Sequence, residues 1–294
     1  MKTVVVSGAT GGIGTAIVQL LLQRGDRVLA IGRSAEKLAA LSDSVAAPAA
    51  TPAPHPPAAR PPATAPAARP PATTPAPHPP ATAPAPRPPA ATSAPRSPAA
   101  TSAPRSPGEL VPLVIDLAEA ADLTEHFEGL GELDALVHCA GIAEVASVQE
   151  TGPDLWQRTL TTNLTSAAEL TRVLLPSLRA RRGGVVFVNL APRMGVVPRW
   201  SAYVGSKAAL TELADALRAE ELRTGVRVTS VYPGGTATEL LKEVRSQFGG
   251  PFDPADCIEP ATVAQYVLLA LDAPADGYLT DLSIAPIAAA LRHR

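Results

Sequence analysis

The opening fourteen residues constrain the fold of this chain more than any other segment does. They read MKTVVVSGATGGIG, in which an apolar run ends at Ser7 and a turn contains Gly8, Gly12 and Gly14. The run has the length and composition of a buried strand, and glycine permits a tight turn into the following helix. Such a turn lets a pyrophosphate approach the helix N-terminus, so the segment predicts a dinucleotide site. A glycine turn with a purely structural role is the alternative.

Apolar runs of strand length alternate with helix-like segments along the rest of the chain. The predicted strands are Lys2–Ser7, Arg27–Gly32, Val111–Ile115, Leu133–Cys139, Gly184–Leu190, Val226–Tyr232 and Tyr278–Ile284. The predicted helices are Gly12–Arg24, Ser34–Val45 with Ser34 as its cap, Pro153–Arg181, Ser201–Thr224 and Glu259–Leu271. Strands that are almost continuously Val, Leu and Ile are typical of sheets covered on both faces. The alternation predicts an α/β fold with a doubly wound parallel sheet of about seven strands.

Residues 48–107 interrupt this pattern. They contain 22 of the 33 prolines and no acidic, aromatic, Leu, Ile or Val residue. A segment with so little to bury is expected to be disordered. We therefore predict a single domain formed by residues 1–47 and 108–294, with 48–107 as a low-complexity insertion. From Arg60 the insertion has a nine-residue period, which would align its Arg and His residues on one face of a polyproline II helix. A basic docking strip and a solvated loop expanded by duplication both remain open.

Charge, cysteine content and hydropathy exclude several classes of function. With the five arginines of the insertion set aside, 20 basic residues remain against 27 acidic ones, a net charge of −7. Such a body predicts no nucleic-acid partner. Cys139 and Cys257 are too few for a disulfide framework, and their spacing fits no metal site. No apolar run approaches the ~18 residues of a membrane span, and a signal-peptide pattern is lacking, so we expect a cytoplasmic protein without a membrane partner.

Tyr203 and Lys207 form the strongest candidate for catalysis. They stand four residues apart in SAYVGSKAAL, so they share one face of the predicted helix. A lysine ammonium beside a phenol favours the phenolate and lowers its pKa, which gives an acid or base usable near neutral pH. A solvent-exposed pair is the alternative, but this helix follows a strand at the carboxyl edge of the sheet, where a cofactor should lie. The pair and the glycine turn predict hydride transfer between a nicotinamide and a carbonyl or alcohol.

Arg33 bears on the choice of cofactor. It follows the second predicted strand, at the place where dinucleotide folds carry an acid for the ribose 2′-hydroxyl. An arginine there suits a 2′-phosphate, so NADP(H) is favoured over NAD(H). An ordinary surface arginine is the alternative.

Several ordered motifs make the chain resemble the short-chain dehydrogenase/reductase family over nearly all of its length outside residues 48–107. The matching pieces are SGATGGIG (7–14), the Asp116-Leu117 pair, HCAG (138–141), Asn163, Y-x-x-x-K (203–207) and PGGTAT (233–238). The resemblance implies a Rossmann-like fold, a small alcohol or carbonyl substrate, and a homo-dimer or homo-tetramer formed through two long helices. In place of the usual NNAG, His138 and Cys139 are expected to be packed core residues, and no metal ligands are expected.

The resemblance, together with Arg33, also assigns roles to individual residues. The expected cofactor-binding set is Gly8, Thr10, Gly12, Ile13, Gly14, Arg33, Asp116, Leu117, Ala140, Gly141, Tyr203, Lys207, Pro233, Gly234 and Thr238. The expected catalytic residues are Tyr203, Lys207 and Asn163. Tyr203 would exchange a proton with the substrate oxygen, Lys207 would bind the ribose hydroxyls, and Asn163 would hold a water in the proton relay.

The chain departs from the family at one catalytic position. The family's serine stands about a dozen residues before the tyrosine, and here Leu190 occupies that place, next to Asn189. Loss of one donor to a developing oxyanion typically costs ~10²–10³ in rate. A slow enzyme, a substrate that brings its own hydrogen bond, and a non-catalytic dinucleotide-binding protein all remain open. Retention of the rest of the relay favours an enzyme. Glu239–Cys257 is expected to form a mobile lid, with Trp200 and Met194 lining the far side of the pocket.

Overall fold

The structure is a computed structural model that describes residues 1–46, 108–119, 123–190, 197–274 and 276–287. The predicted insertion at 48–107 and Met194 lie outside the described residues. Within the described ranges the strands are β1 Thr3–Ser7, β2 Arg27–Gly32, β3 Glu109–Val114, β4 Ala135–His138, β5 Gly184–Val188, β6 Arg227–Pro233 and β7 Asp281–Ile284. The α-helices are α1 Gly12–Gln23, α2 Ala35–Ala46, α3 Pro153–Leu160, α4 Ser166–Arg181, α5 Ser201–Glu221, α6 Glu239–Gln247 and α7 Pro260–Leu271.

The strands form one parallel sheet in the order β3-β2-β1-β4-β5-β6-β7. The predicted fold class, a doubly wound parallel sheet, is therefore confirmed. The strand order reverses between β1 and β4, where Val4 pairs with Ala135. Ligands of open parallel sheets bind in the crevice at the carboxyl ends of the strands next to such a reversal.

Hydrophobic clusters cover both faces of the sheet. On one face Val4 and Val6 of β1 pack with Ile17 of α1 and Val267 of α7. On the other face Val5 belongs to a second cluster with side chains of α4 and α5, such as Leu174 and Leu210. Successive residues of a strand point to opposite faces. Two covered faces therefore require the continuous apolar strands that the sequence contains.

The bounds of β3 differ from the predicted ones, and the predicted cap of α2 is present. β3 runs from Glu109 to Val114, whereas the predicted strand ran from Val111 to Ile115, and both contain Pro112. Because β3 lies at the edge of the described sheet, its proline costs no ladder hydrogen bond on the open side. The predicted cap is confirmed, since the backbone N–H of Lys37 donates to Ser34 Oγ at 3.2 Å.

Two segments near the carboxyl ends of the strands have structure that the pattern did not predict. The long helical region between Pro153 and Arg181 contains a π-helical turn, Thr161–Thr165, which is a feature frequently found at functional sites. The predicted lid begins as the regular helix α6, because Thr238 Oγ1 accepts a hydrogen bond from Leu241 N at 3.2 Å and caps it. Within the described ranges, every helix is too short or too polar to cross a membrane.

Candidate active site

A cleft of about 410 Å³ opens at the carboxyl ends of the central strands. Its walls come from the turn after β1, the ends of β4, β5 and β6, and helices α5 and α6. Ten of the predicted site residues line it, namely Gly12, Ile13, Gly14, Ala140, Gly141, Tyr203, Lys207, Pro233, Gly234 and Thr238. The tertiary structure thus brings together motifs that are separated by more than two hundred positions in the sequence.

The glycine turn is closed by contacts that only glycine permits. Gly8 has φ +66°, and a Cβ atom there would lie 2.6 Å from the backbone N of Ala140. A Cβ atom on Gly14 would lie 2.1 Å from the carbonyl O of Gly8, and one on Gly12 would lie 2.6 Å from Cγ2 of Thr238. The turn therefore packs directly against β4 and against the segment that precedes α6.

The N-terminus of α1 faces the cleft without an anionic side chain. Its cap residue Gly11 provides no side-chain acceptor, and its first turn contains no acidic residue. The first N–H groups of a helix lack partners within the helix, and the helix dipole favours an anion beside them. These residues fit the pyrophosphate of a dinucleotide.

A second group of predicted residues lies beside the cleft, at the ends of β2 and β3. A Cβ atom on Gly32 would lie 3.1 Å from Cγ2 of Thr10, so Thr10 packs against the end of β2. Arg33 is exposed and has no ion pair with any described residue. Asp116 is also exposed, and its Oδ1 accepts a hydrogen bond from Ala118 N at 2.9 Å. Leu117 is buried in the second hydrophobic cluster.

Asn163 lies at the centre of the π-helical turn and is buried. Its Oδ1 accepts a hydrogen bond from Ile142 N at 2.8 Å, and its Nδ2 donates to Ile142 O and to Ser206 Oγ, both at 2.9 Å. A Cβ atom on Gly141 would lie 3.3 Å from Asn163 Oδ1 and 3.7 Å from Lys207 Nζ. Asn163 therefore joins the loop after β4 to α5 and lies beside the lysine.

Tyr203 and Lys207 lie on the cleft face of α5. Lys207 is 6% exposed, and its Nζ donates to Val188 O at 3.2 Å. Burial lowers the pKa of Lys207 to about 8, and the Cys139 thiol nearby acts in the opposite direction. The ring of Tyr203 stacks on Trp200 at a centroid distance of 4.5 Å, and burial raises the pKa of Tyr203 to about 12. For the protein without a cofactor, the predicted lowering of the Tyr203 pKa is wrong. Burial raises this pKa, and the Lys207 ammonium donates to a backbone carbonyl.

His138 and Cys139 are uncharged at neutral pH. His138 Nε2 lies 2.9 Å from Thr171 Oγ1, which itself donates to Ala167 O at 2.7 Å, so Nε2 carries the proton. Burial, assisted by Lys207, lowers the pKa of His138 to about 3. Burial raises the pKa of the Cys139 thiol to about 12, against the influence of Lys207. His138 is a packed core residue as predicted, stacked on Phe187, whereas Cys139 also borders the cleft.

Leu190 lines the cleft with an aliphatic side chain. The neighbouring Asn189 does not replace the missing hydroxyl, because its Nδ2 donates to Thr211 Oγ1 at 3.0 Å and its Oδ1 accepts from Leu190 N at 2.8 Å. Two buried donors next to Tyr203, Trp200 Nε1 and Ser201 Oγ, have no hydrogen-bond partner in the described part of the chain.

The sequence analysis expected the segment from Glu239 to cover the pocket, but it did not identify the helix α6 or which of its residues close the far side of the cleft. They are Leu240, Leu241, Val244 and Arg245, followed by Phe248. Phe248 meets Trp200 edge to face at 5.9 Å. The signal was present, since Thr238 is a good cap and apolar residues recur at helical spacing after it. No group of three or more potential metal ligands occurs among the described residues.

Comparisons with known proteins agree with this geometry. The model of a family described as short chain dehydrogenase matches residues 2–53 and 92–248. The glycine betaine reductase ATRR of Emericella nidulans is 33% identical over 165 residues, which are 54% of this chain and 13% of that protein. The D-beta-hydroxybutyrate dehydrogenase of Cupriavidus necator is 31% identical over 144 residues, 46% of this chain and 55% of that protein. The matched stretches thus span about half or less of the length of these two relatives.

Solved structures match over almost the whole chain. An oxidoreductase of the short chain dehydrogenase/reductase family from Burkholderia thailandensis has a TM-score of 0.68 at 25% identity, and covers 98% of this chain and 93% of its own. A metagenomic short-chain oxidoreductase, solved in complex with NADP, has a TM-score of 0.66 at 22% identity and covers 97% of both chains. At this identity, the likeness to the metagenomic protein shows a shared fold alone.

Proposed function

The chain belongs to the short-chain dehydrogenase family of oxidoreductases, and we propose that it transfers a hydride between NADP(H) and a small alcohol or ketone. One observation carries the proposal. A Cβ atom placed on Gly141 would lie within 4 Å of both Asn163 Oδ1 and Lys207 Nζ. Gly141 lines the cleft, which Tyr203 and the glycine turn also border. A proton donor, a cation and a dinucleotide turn at one cleft are the parts that hydride transfer to a carbonyl requires.

The residues that would hold the cofactor fit its chemistry. The open N-terminus of α1 suits the pyrophosphate, with Gly8, Thr10, Gly12, Ile13 and Gly14 in the turn. Ala140, Gly141, Pro233, Gly234 and Thr238 would flank the nicotinamide half, and Asp116 and Leu117 the adenine. Arg33, exposed and unpaired among the described residues, would meet a 2′-phosphate, which supports NADP over NAD. When bound, the nicotinamide supplies or accepts the hydride.

The pKa values of the cleft indicate that Tyr203 would act as a proton donor at neutral pH. A phenol with a pKa of about 12 keeps its proton, so Tyr203 meets the substrate as a donor. As hydride adds to the carbonyl carbon, the carbonyl oxygen takes the Tyr203 proton and an alcohol forms. Lys207, with a pKa of about 8, is mainly cationic at pH 7 and would stabilise the phenolate left behind. Asn163 would hold the water through which Tyr203 regains its proton.

A second candidate function is dinucleotide binding without catalysis. Leu190 favours it, because an aliphatic side chain borders the cleft where a hydroxyl donor is expected. Retention of Tyr203, Lys207 and Asn163 favours the enzyme. We further propose that residues 1–47 and 108–294 form one domain, and that the protein is a cytoplasmic homo-dimer or homo-tetramer.

Turnover with and without a restored hydroxyl distinguishes the two functions. Purified protein is mixed with NADPH or NADH and a panel of ketones and aldehydes, while absorbance reports turnover. Binding is followed by the fluorescence of the two tryptophans, Trp156 and Trp200, the second of which lines the cleft. We expect Leu190→Ser to raise kcat by about 10- to 1000-fold, since it adds an oxyanion donor. Leu190→Ala is the matched control, because it makes the same room without a donor.

The same experiment decides cofactor preference. Loss of preference for NADPH in Arg33→Ala supports the assigned role of Arg33. Tight NADPH binding without turnover in the wild type and in Leu190→Ser would instead establish the non-catalytic function.

A further inference from the structure

The cleft has an apolar far side with one cation. Beyond Tyr203 its walls are Leu190, Trp200, Leu240, Leu241, Val244 and Phe248. Among the described lining residues only Lys207 and Arg245 are charged, and Lys207 lies beside Asn163 in the proposed relay. Arg245 is therefore the charged group that borders the space left for a substrate.

Arg245 has no carboxylate partner among the residues that the structure describes. Its guanidinium donates a long hydrogen bond from Nη1 to Pro251 O at 3.4 Å. The other cation of α6, Lys242, lies 3.3 Å from Glu239 Oε2 and forms an ion pair one turn along the helix. Asp253, in the segment that follows, forms no ion pair with Arg245, and its Oδ1 accepts a hydrogen bond from Ala255 N at 2.9 Å. Arg245 borders the cleft, and a single long hydrogen bond to a backbone carbonyl leaves other N–H donors of its guanidinium available.

The helix that carries Arg245 is anchored at both ends. At its start, Thr238 caps the helix and packs over Gly12. In the middle, Val244 is buried, and at the end Gln247 Oε1 accepts a hydrogen bond from Val145 N in the loop after β4, at 2.9 Å. The backbone at Arg245 is therefore held relative to the cleft, so that ligand binding need not order this segment.

We propose that Arg245 binds a carboxylate of the substrate, so that the substrate class is a small oxo acid or hydroxy acid with an apolar body. The inference rests on the proposed oxidoreductase function. A guanidinium presents a planar pair of N–H donors that matches a carboxylate. One guanidinium without a second cation beside it suits a monoanion better than a phosphate dianion. The apolar walls between Tyr203 and Arg245 suit the hydrocarbon between the reacting carbonyl and the acid.

Matched acids and esters test the inference. Pyruvate, acetoacetate and levulinate are compared with their methyl esters, which keep the carbonyl and remove the charge, at increasing distance between the two groups. We expect the wild type to prefer at least one acid over its ester. In Arg245→Gln we expect KM for that acid to rise about 10- to 100-fold, the range of a hydrogen bond to a charged group, while the ester changes less than about twofold. Arg245→Lys should recover part of the loss.

Lys242→Gln is the matched control, since it removes a cation of the same helix that is already paired and does not line the cleft. It should leave both substrates unchanged. Equal use of acid and ester by the wild type, or equal losses on both in Arg245→Gln, would overturn the inference and leave the oxidoreductase function standing. If nothing is turned over, dissociation constants from tryptophan fluorescence with NADPH present decide the matter. Tighter binding of an acid that depends on Arg245 supports the carboxylate site although the reaction has failed, and equal binding of acid and ester rejects it.

Discussion

At the amino ends of the strands, oppositely charged side chains join neighbouring elements. Lys2 Nζ and Arg24 Nη1 lie 2.7 and 2.8 Å from the two carboxylate oxygens of Asp272, which ties the start of β1 and the end of α1 to the end of α7. On the other face, Arg179 at the end of α4 binds both oxygens of the fully buried Glu221 on α5. This end of the sheet is held together by paired charges.

The carboxyl ends of the same strands are built in the opposite way. Here a glycine turn and a π-helical turn shape the backbone around the cleft, and Gly8 in the first of them has φ +66°. Lys207 is buried without a carboxylate partner among the described residues, and Trp200 Nε1 and Ser201 Oγ lack hydrogen-bond partners there. Strain and unpaired polar groups persist only where the rest of the fold supports them. We infer that the ion pairs of the amino end stabilise the sheet, and that the carboxyl end carries the groups of the proposed mechanism.

The sharpest test of this division is Tyr203→Phe. It removes the phenol O–H from the cleft and keeps the ring that stacks on Trp200. We expect kcat to fall by about 10³-fold, within the range for loss of a positioned general acid. The melting temperature should stay nearly constant. Steady-state kinetics and thermal unfolding of both proteins are the measurement, with Tyr266→Phe on the exposed face of α7 as control. Unchanged turnover would remove Tyr203 from the proposed mechanism.

Lys207→Met tests whether the buried lysine at the carboxyl end lowers the stability of the fold. The folded pKa of about 8 lies below the ordinary value of 10.5, so folding disfavours the ammonium. Below pH 8 the unfolded and folded lysines are both protonated and the full penalty applies. Between about pH 8 and 10.5 the unfolded chain binds more protons, so wild-type stability rises with pH.

The variant should therefore be more stable than the wild type at pH 7, by about 2 to 3 kcal/mol, and should lose that advantage as the pH approaches 10.5. Its turnover should be lost. Urea unfolding across this pH range is the measurement. A variant less stable than the wild type at neutral pH would contradict the idea that the buried ammonium destabilises the fold.

Glu221→Gln tests the amino end, and this substitution is expected to lower the stability of the fold. The hydrogen bond from Arg179 is the main cause that holds the pKa of Glu221 below its ordinary value, and Thr224 adds a second bond, against the effect of burial. The ion pair therefore stabilises the fold above the unfolded pKa, and that stabilisation is lost as pH falls through the depressed folded pKa. At pH 7 we expect a loss of about 2 kcal/mol, moderate for a buried carboxylate because Arg179 is half exposed.

The variant should keep the wild-type kcat and KM, since Glu221 lies at the far end of α5 from Tyr203. Its stability should also depend less on pH in the acid range. Chemical unfolding at pH 7 and near pH 4 provides the test, with Glu220→Gln, one residue away and without an ion pair among the described residues, as control. A large loss of activity at unchanged stability would contradict the assignment of a stabilising role to the amino end.

The amino-acid sequence by itself determined the elements and the chemical parts. Val4, Val5 and Val6 required a strand covered on both faces, the glycines at 8, 12 and 14 required a close turn, and the spacing of Tyr203 and Lys207 placed both on one helix face. These are local properties, because strand and helix periodicity act over a few residues. Leu190 was identified by counting back from Tyr203 to the position where the family has its serine, and this leucine does border the cleft.

Only the tertiary structure decided what surrounds these groups. It buried Lys207 against Val188 O and set the pKa of Tyr203 by burial, which reversed the expectation drawn from the pair alone. It also brought Asn163 to Gly141 through a π-helical turn, and placed Arg245 of α6 at the rim of the cleft. The physical reason is that solvation and electrostatic fields depend on every element packed around a group, whereas spacing along a chain defines only that group's nearest neighbours on one helix or strand.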